Sequence, residues 1–333
     1  MDVRVILRSR KQGVRVLASE RCFQSVTRLL VQALRFGDGV AAVARRAWSL
    51  PASLAIACLL LAVTAGPSLA QSGSEVLRIG VTPVLIHDRQ QPWDTWKRYL
   101  EKRLGKPVQF ISRDSYRDML DLIKNRQVDF AWVSTYPYVY VSKRGQAQLL
   151  AVPLFHGRPY YSGYLIVPAS DTSSKSILDL RGKIFAYADP YSFSGWLLPR
   201  YQLQRAGESP DRFFRKTFFT HAHSGVIAAV AAKLALGGAV DGFVWESLAR
   251  QQPELTNATR VVAKSEEFAF PPVIAVAGVS EETAKALQRV LLGMAGDPEG
   301  QAALRLLGID GFVVGDPAMY KSVVAIMQAM GGP

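Results

Sequence analysis

From Leu77 onward, short apolar runs of strand character alternate with segments whose apolar residues return at helical spacing. Such alternation confines a chain to an α/β sheet with helices packed on its faces. Leu77 to Val81 reads as a first strand. Trp93, Trp96, Leu100 and Leu104 recur at helical spacing, and Gly105 supplies the stop. Val108 to Ile111 reads as a strand, and Tyr116, Met119, Leu120 and Ile123 mark a second helix. Val128 to Val133 is a buried-strand run, with further strands at Leu149 to Val152 and Tyr164 to Val167. A mainly parallel sheet is expected.

A second set follows. Ile184 to Tyr187 reads as a strand and Trp196 to Arg205 as a helix stopped by Gly207. Thr217 to Phe219 is another strand, Val226 to Leu236 an Ala-rich helix, and Val240 to Trp245 a strand again. Past Pro271-Pro272 come a strand at Val273 to Val276 and helices around 281–295, 299–306 and 317–329. Val128-Asp129-Phe130-Ala131 and Val240-Asp241-Gly242-Phe243 echo one another, as two similar lobes would. In open α/β sheets ligands sit beyond the carboxyl ends of strands. That rule points to Ser134-Thr135 after the first echo and to Glu246-Ser247 after the second.

The first seventy residues are of another kind. They hold ten Arg and Lys against three Asp and Glu, which is over half of the chain's net charge of +13. Arg45-Arg46, an apolar core from about Leu54 to Val63, a break at Gly66-Pro67 and a small-x-small site at Ser68-Leu69-Ala70 compose a secretory signal peptide. Cleavage is expected before Gln71. The apolar run is short for a membrane span, and residues 1–44 are a long, Arg-rich preface to it. The only two cysteines, Cys22 and Cys58, lie in this leader, so the mature chain is expected to hold no disulfide and no Cys-based metal site. Cys58 as a lipid attachment point is the alternative; apolar residues Leu59 to Val63 follow it where a polar tether would begin. What charge remains is mildly basic and diffuse, without the basic–aromatic runs of a nucleic-acid binder.

The strongest local feature is Asp189-Pro190-Tyr191-Ser192-Phe193-Ser194-Gly195, placed after a strand and before a helix. Two hydroxyls and several unpaired backbone N–H groups converge there on a positive helix end, a geometry that binds anions without a cationic side chain. An ordinary Ser N-cap reads equally well from the residues alone. Pro199 removes one hydrogen bond from a helix starting at Gly195, so the regular turns are expected to begin a residue or two later. Catalytic patterns are missing. Ser192 and Ser194 lie outside any nucleophile elbow, no HExxH or P-loop occurs, and the first strand ends in Gly80-Val81-Thr82-Pro83 without a dinucleotide fingerprint. His221 and His223, taken as neighbours on one strand face, would need further ligands to hold a metal. No metal, cofactor or enzymatic activity is expected.

At the Asp189 to Pro199 stretch the chain resembles the periplasmic binding proteins for phosphonate, phosphite and phosphate, of the type II fold. Their motif reads approximately Asp-Pro-x-Ser-Thr-Ser-Gly, an aromatic or aliphatic pair, then Pro; Phe193 stands here in the Thr place. Gly105-Lys106-Pro107-Val108 with Asp114-Ser115-Tyr116, Val128 to Trp132, Gly157-Arg158-Pro159-Tyr160-Tyr161 and Leu178 to Lys183 resemble further family segments. His223 falls where the family has a His before an Ala-rich helix. The resemblance spans roughly residues 77–310. It implies that Ser192, Ser194 and the backbone at Phe193 donate to the phosphorus oxygens, that Tyr116 and Tyr161 close from the other lobe, that His223 donates to another oxygen, and that Glu246 is a ligand-facing acid. Tyr116 and Tyr161 as packing aromatics, and Glu246 as a solvated helix-start carboxylate, are the plainer alternatives. Phe193 removes one hydroxyl from the pattern, so tighter binding of a phosphonate or phosphite than of phosphate is expected.

The resemblance implies a two-lobed α/β protein, with lobes at 75–165 plus 270–333 and at 166–269, that closes around a small phosphorus oxyanion. The partner is then an ABC-transporter permease, the compartment the periplasm and the expected state a monomer. Two alternatives stay open: a sensor that signals to a membrane kinase, and an enzyme on the same fold.

Overall fold

The computed structural model describes residues 76–82 and 91–332; the leader expected in residues 1–70 and its cleavage point lie outside the described residues. In chain order the elements are β1 (Leu77–Val81), α1 (Gln91–Leu104), β2 (Val108–Ser112), α2 (Tyr116–Lys124), β3 (Phe130–Trp132), α3 (Thr135–Ser142), β4 (Ala147–Leu154) and β5 (Tyr160–Pro168). Then come β6 (Ile184–Tyr187), a π-turn (Phe193–Leu197), α4 (Leu198–Arg205), α5 (Pro210–Phe213), β7 (Lys216–Phe219), α6 (His223–Ala231), β8 (Gly237–Asp241), α7 (Gly242–Gln251), α8 (Pro253–Asn257) and β9 (Thr259–Ala269). The chain ends with β10 (Val273–Val276), α9 (Glu281–Gly293), α10 (Pro298–Leu307), β11 (Gly311–Val314) and α11 (Lys321–Ala329).

These elements form the expected two-lobed α/β architecture, with one sheet in each lobe. One sheet has the order β11-β4-β10-β3-β1-β2 and the other β7-β6-β8-β5-β9. Both are mixed. β1 pairs in parallel with β2 and β3, and β6 with β7 and β8, while the strands beside the crossovers, β4, β5, β9 and β10, pair antiparallel. A helix crossover makes neighbours parallel, whereas a chain that leaves one sheet and returns enters it from the opposite end. The boundary expected at residue 165 falls inside β5, and the pairing of β5 with β8 and β9 moves the crossing upstream to residues 155–159. The two crossing segments run side by side, with the Phe270 N–H donating to the Pro159 carbonyl at 2.9 Å.

The helices of the first lobe close on an aromatic core. Trp96 is buried between Phe110, at 5.0 Å and stacked, and Trp132, at 5.7 Å and edge-on. Phe185, Phe214 and Tyr187 form the matching nucleus on the outer face of the second sheet. Burying rings of this size contributes about 1.5–3 kcal/mol each. A third group, Phe155, Phe243 and Phe270, joins the lobes where the crossing segments meet.

The Pro199 expectation has a structural answer. Residues 193–197 form a π-turn before α4 begins at Leu198. The Gly195 carbonyl, which Pro199 cannot serve, accepts instead from the Ala188 N–H at 3.2 Å. The lost helical bond thus becomes a tie between the turn and the end of β6.

The echo of Val-Asp segments is one of letters only. Asp129 stands just before β3 and is held by Arg78, whose backbone N–H lies 2.8 Å and guanidinium 2.6 Å from its carboxyl oxygens. Asp241 stands at the other end of its strand and caps α7 through the Phe243 N–H at 2.8 Å. Val240 to Trp245 is therefore a strand end and a helix start rather than a continuous strand. His223 likewise opens α6, while His221 precedes it with a left-handed φ of 60°.

Candidate functional site

Five segments begin where the lobes meet: α2 at Tyr116 and α3 at Thr135 from the first lobe, and the π-turn at Phe193, α6 at His223 and α7 at Gly242 from the second. The first backbone N–H groups of each have no intrahelical partner, so the meeting point is electropositive without a cationic side chain. In α3 the third position is Pro137, which carries no N–H and leaves Thr135 and Tyr136 as the free donors. Tyr116, Ser134, Thr135, Tyr161, Ser192, Ser194, His223, Asp189 and Asp241 are all buried there. Burial of so many polar groups is costly unless they meet partners.

The bonding of Ser192 carries the most information. Its Oγ accepts from the Gly195 N–H at 3.0 Å and lies 3.2 Å from His223 Nε2. His223 Nδ1 accepts from the Asp241 N–H at 3.0 Å. A neutral imidazole that accepts at Nδ1 carries its proton on Nε2, and burial lowers the pKa of His223 to about 3. Nε2–H therefore donates to Ser192. With both lone pairs of the Ser192 oxygen occupied, its own proton must point elsewhere, and Ser192 stands beside the Tyr116 hydroxyl. His223 thus orients Ser192, and both of its nitrogens are already engaged. Its expected direct donation to a ligand oxygen is replaced by this indirect role.

Tyr116 and Tyr161 bring two buried phenols to the same cluster. Burial, with the neighbouring Asp189 and Asp241 carboxyls, pushes the Tyr116 phenol well above its ordinary pKa, and burial together with Asp241 does the same to Tyr161. Both stay protonated donors at neutral pH. Tyr161 neighbours Thr135 and Ser194, and Tyr116 neighbours Ser192, yet neither phenol completes a hydrogen bond to the described residues. Thr135 Oγ1 lies 3.3 Å from the Ala269 carbonyl, and Ser134 takes the N-cap position of α3 without a side-chain capping bond. Tyr161 comes from β5 and so belongs to the second lobe, on the same side as the serines.

Gly195 must be glycine. A Cβ there would stand 2.5 Å from Ala188 Cβ, 2.8 Å from His223 Cε1 and 2.9 Å from Ser192 Oγ. Phe193 opens the π-turn, and its fully buried ring meets Phe268 edge-on at 4.7 Å.

Glu246 does not join this cluster. On β5, Gly163 and Tyr164 point to opposite faces. A Cβ on Gly163 would meet Ser194 Cβ at 3.3 Å, whereas the Tyr164 hydroxyl donates to Glu246 at 2.5 Å. His156 Nε2 is a second partner of Glu246, at 2.8 Å. Burial pushes the Glu246 pKa up, but the bonds from Tyr164 and His156 outweigh it and hold the carboxyl below its ordinary value. The acids at the cluster are Asp189 and Asp241. Asp189 accepts from the Tyr191 N–H at 2.8 Å and, across the lobes, from the Tyr116 N–H at 3.4 Å. Burial raises the Asp241 pKa to about 7, against the lowering effect of its bonds from the Phe243 and Val244 N–H groups.

Rings from opposite lobes flank the loop. Tyr191 meets Tyr136 at 5.8 Å and Tyr140 at 6.3 Å, edge to face in both cases. Arg144 stacks on Tyr140 at 3.7 Å.

The family described as "ABC transporter, phosphonate, periplasmic substrate-binding protein" matches residues 79–320. The phosphonates-binding periplasmic protein of Escherichia coli K12 is 25% identical over 264 residues, 77% of this chain and 78% of that protein. Two solved structures share the fold. PhnD1 from Prochlorococcus marinus, in complex with methylphosphonate, has a TM-score of 0.70 at 20% identity, over 78% of this chain and 100% of that one. The binding-protein component of a Pseudomonas aeruginosa ABC phosphonate transporter has a TM-score of 0.71 at 20% identity, over 77% and 86%. The chain belongs to the periplasmic substrate-binding proteins of phosphonate ABC transporters.

Proposed function

We propose that this protein captures a small phosphorus oxyanion, a phosphonate or phosphite in preference to phosphate, and delivers it to the permease of an ABC importer. The observation that carries this reading is the proton of Ser192, freed by the Gly195 and His223 bonds, beside two buried phenols that lack a protein acceptor. The phosphorus oxygens would accept from Ser192, Ser194, Tyr116 and Tyr161 and from the free N–H groups at Phe193 and Thr135. Ser134, at the start of α3, and His223, behind Ser192, support these donors rather than add to them. Phe193 supplies a backbone N–H where the family pattern also has a hydroxyl. A fully oxygenated phosphate then has one oxygen poorly served, whereas a P–C or P–H bond asks for no donor there.

The mechanism is capture by closure. In the open form the first lobe carries Tyr116 and Thr135 and the second carries Tyr161, Ser192 and Ser194. Closing expels water and brings fixed dipoles onto the anion, which makes each hydrogen bond count for more than in water. The reading includes export to the periplasm by removal of residues 1–70, a mature start near Gln71 and a monomeric protein.

A thermal-shift screen with methylphosphonate, phosphite, phosphate, sulfate and acetate tests the reading. Stabilisation by the phosphorus oxyanions above that by sulfate and acetate is the expected result. An equal response to all five, or to none, would overturn it.

A further inference from the structure

His156 stands in the first of the two segments that cross between the lobes, and the turn it occupies fixes its place. The Phe155 N–H donates to the Arg158 carbonyl at 2.8 Å and the Arg158 N–H to the Phe155 carbonyl at 3.1 Å. His156 and Gly157 between them have φ of 53° and 71°, the left-handed pair that a two-residue hairpin turn of type I′ requires. The turn is tied to the first lobe. Asp310, the residue before β11, donates its N–H to the Leu154 carbonyl at 2.9 Å and accepts the Gly157 N–H on its carboxyl at 2.8 Å.

Glu246 reaches the turn from the second lobe. It lies in the second turn of α7, and each of its carboxyl oxygens has a partner. The Tyr164 hydroxyl of β5 donates to Oε1 at 2.5 Å, and His156 Nε2 stands 2.8 Å from Oε2. Tyr164 holds the carboxylate within its own lobe, and His156 joins it to the other. The Phe155 ring meets Phe243, at the start of α7, at 5.3 Å, so the same turn also makes an apolar contact with that helix. Charge is further brought to this junction by Asp310, by Arg158 with its partner Glu267 of β9 at 2.7 Å, by Lys264, whose Nζ stands 4.5 Å from the Tyr164 ring, and by Arg250, one turn on in α7 and 3.4 Å from the Ser247 hydroxyl.

The His156 side chain is 66% exposed and that of Glu246 24%, so the imidazole exchanges protons with solvent while the carboxylate is partly shielded. A neutral imidazole with its proton on Nε2 donates one hydrogen bond to the carboxylate, and an imidazolium adds a full charge to the same bond. Histidine side chains ordinarily change charge between about pH 5 and 8. Crossing segments are where two-lobed proteins bend. Protonation therefore strengthens a contact across the bending point, in the form of the molecule in which Tyr191 meets Tyr136 across the lobes.

We propose that His156 is a positioning residue for ligand capture: through Glu246 it draws the lobes together, more firmly when protonated, so that the protein holds its cargo more tightly as pH falls through the histidine range. The inference rests on capture by closure. Because the imidazole is mostly exposed the effect is modest, about threefold in affinity.

The test is calorimetric titration with methylphosphonate at about pH 5.5 and 8 on wild type, His156→Asn, Glu246→Gln and the double variant. Asparagine before glycine is the favoured pair in this turn, so His156→Asn keeps the hairpin while losing the reach and the charge. Ionisation of the ligand and of Asp241 is common to all four proteins and cancels in the ratios. The expected result is binding about threefold weaker in His156→Asn than in wild type at the lower pH and roughly equal binding at the higher. In the Glu246→Gln background His156→Asn should change nothing at either pH. A ratio of wild type to His156→Asn that is the same at both pH values, or a loss at the lower pH that persists in the Glu246→Gln background, would overturn the proposal and leave capture intact. Failure of the wild type to bind methylphosphonate at either pH would remove capture as well.

Discussion

The ring of Tyr191 in the second lobe stands edge-on to the ring of Tyr136 in the first at 5.8 Å, one residue away from the serine that orients the anion loop. Tyr140 flanks the same ring at 6.3 Å. The segment proposed to bind the anion thus also touches the opposite lobe, so that in this reading closure and recognition share one short stretch of chain. Edge-to-face pairs contribute about 0.5–1.5 kcal/mol each beyond area burial. Tyr191→Ala is expected to speed ligand dissociation about tenfold with little change in association, and Tyr191→Phe to stay near wild type. Stopped-flow fluorescence measures both rates, and an unchanged off-rate in the alanine variant would show that the latch carries no energy.

Ser192→Ala removes the acceptor shared by the Gly195 N–H and His223 Nε2–H and, in the proposed site, the proton offered to the ligand. Losing a hydrogen bond to a charged ligand costs about 1.5–3 kcal/mol, which corresponds to a ten- to hundredfold rise in Kd. Because Ser192 is fully buried and holds two donors, the ligand-free protein should also melt several degrees lower. Calorimetry and a melting curve on the same variant separate the two effects. Wild-type affinity would dismiss the anion-loop assignment.

Gly195→Ala is expected to be more damaging than its size suggests. Its new methyl would press on Ala188, on His223 and on Ser192 Oγ at distances that real Cβ atoms do not adopt. Overpacking of this kind costs about 1–3 kcal/mol, and the loop must shift to relieve it. A lower melting temperature together with weaker anion binding is the expected outcome. A crystal structure of the variant with an unmoved loop would contradict it.

Two buried groups give stability opposite pH slopes. His223 has a folded pKa of about 3, below its ordinary value, so the unfolded chain binds the extra proton between about pH 6.5 and 3 and stability falls as the solution is acidified through that window. Asp241 has a folded pKa of about 7, above its ordinary value. Here the folded state binds the extra proton between about pH 4 and 7, so burying the carboxyl costs nothing below that window and most above it. Asp241→Asn, which keeps an oxygen for the Phe243 N–H, should therefore gain stability over wild type as pH rises toward 7 and lose the advantage near pH 4. Melting temperatures of both proteins from pH 4 to 8 decide the matter, and a constant difference would argue against a burial-raised pKa.

Much of this organisation could be read from residues alone, for identifiable reasons. The first four strands and the helices at 91–104, 116–124 and 281–293 have clean periodicity and ordinary stops. The anion loop announces itself through residue types that are rare together. Helix α3 did not, because Thr-Tyr-Pro-Tyr-Val-Tyr-Val is rich in β-branched and aromatic residues that favour strands, and burial overrides that preference here. Strand β9 was missed since Lys264, Glu266 and Glu267 interrupt its apolar residues; it is an edge strand with one face toward water. Placing Glu246 at the site followed from running the strand on to Trp245. Once Asp241 ends the strand and caps α7, the acid at the strand end is Asp241, and Glu246 is carried a turn along the helix to Tyr164 and His156. No local pattern reports that His223 would turn both nitrogens inward, since its partners lie thirty-one residues back and eighteen ahead.

The hydrogen bond between Phe270 N–H and the Pro159 carbonyl has a consequence for how such proteins can be rebuilt. It places the entry and exit of the second lobe next to each other, so residues 160–269 form one uninterrupted insert in an otherwise continuous first lobe. An insert whose ends adjoin can be exchanged without rerouting the host chain. The serine loop, His223, Asp241 and Tyr161 all travel with that single cassette, while Tyr116, Thr135 and the aromatic latch partners stay behind. Grafting the cassette between relatives would therefore transplant four of the six proposed anion donors in one splice, and would show which lobe sets the choice of cargo.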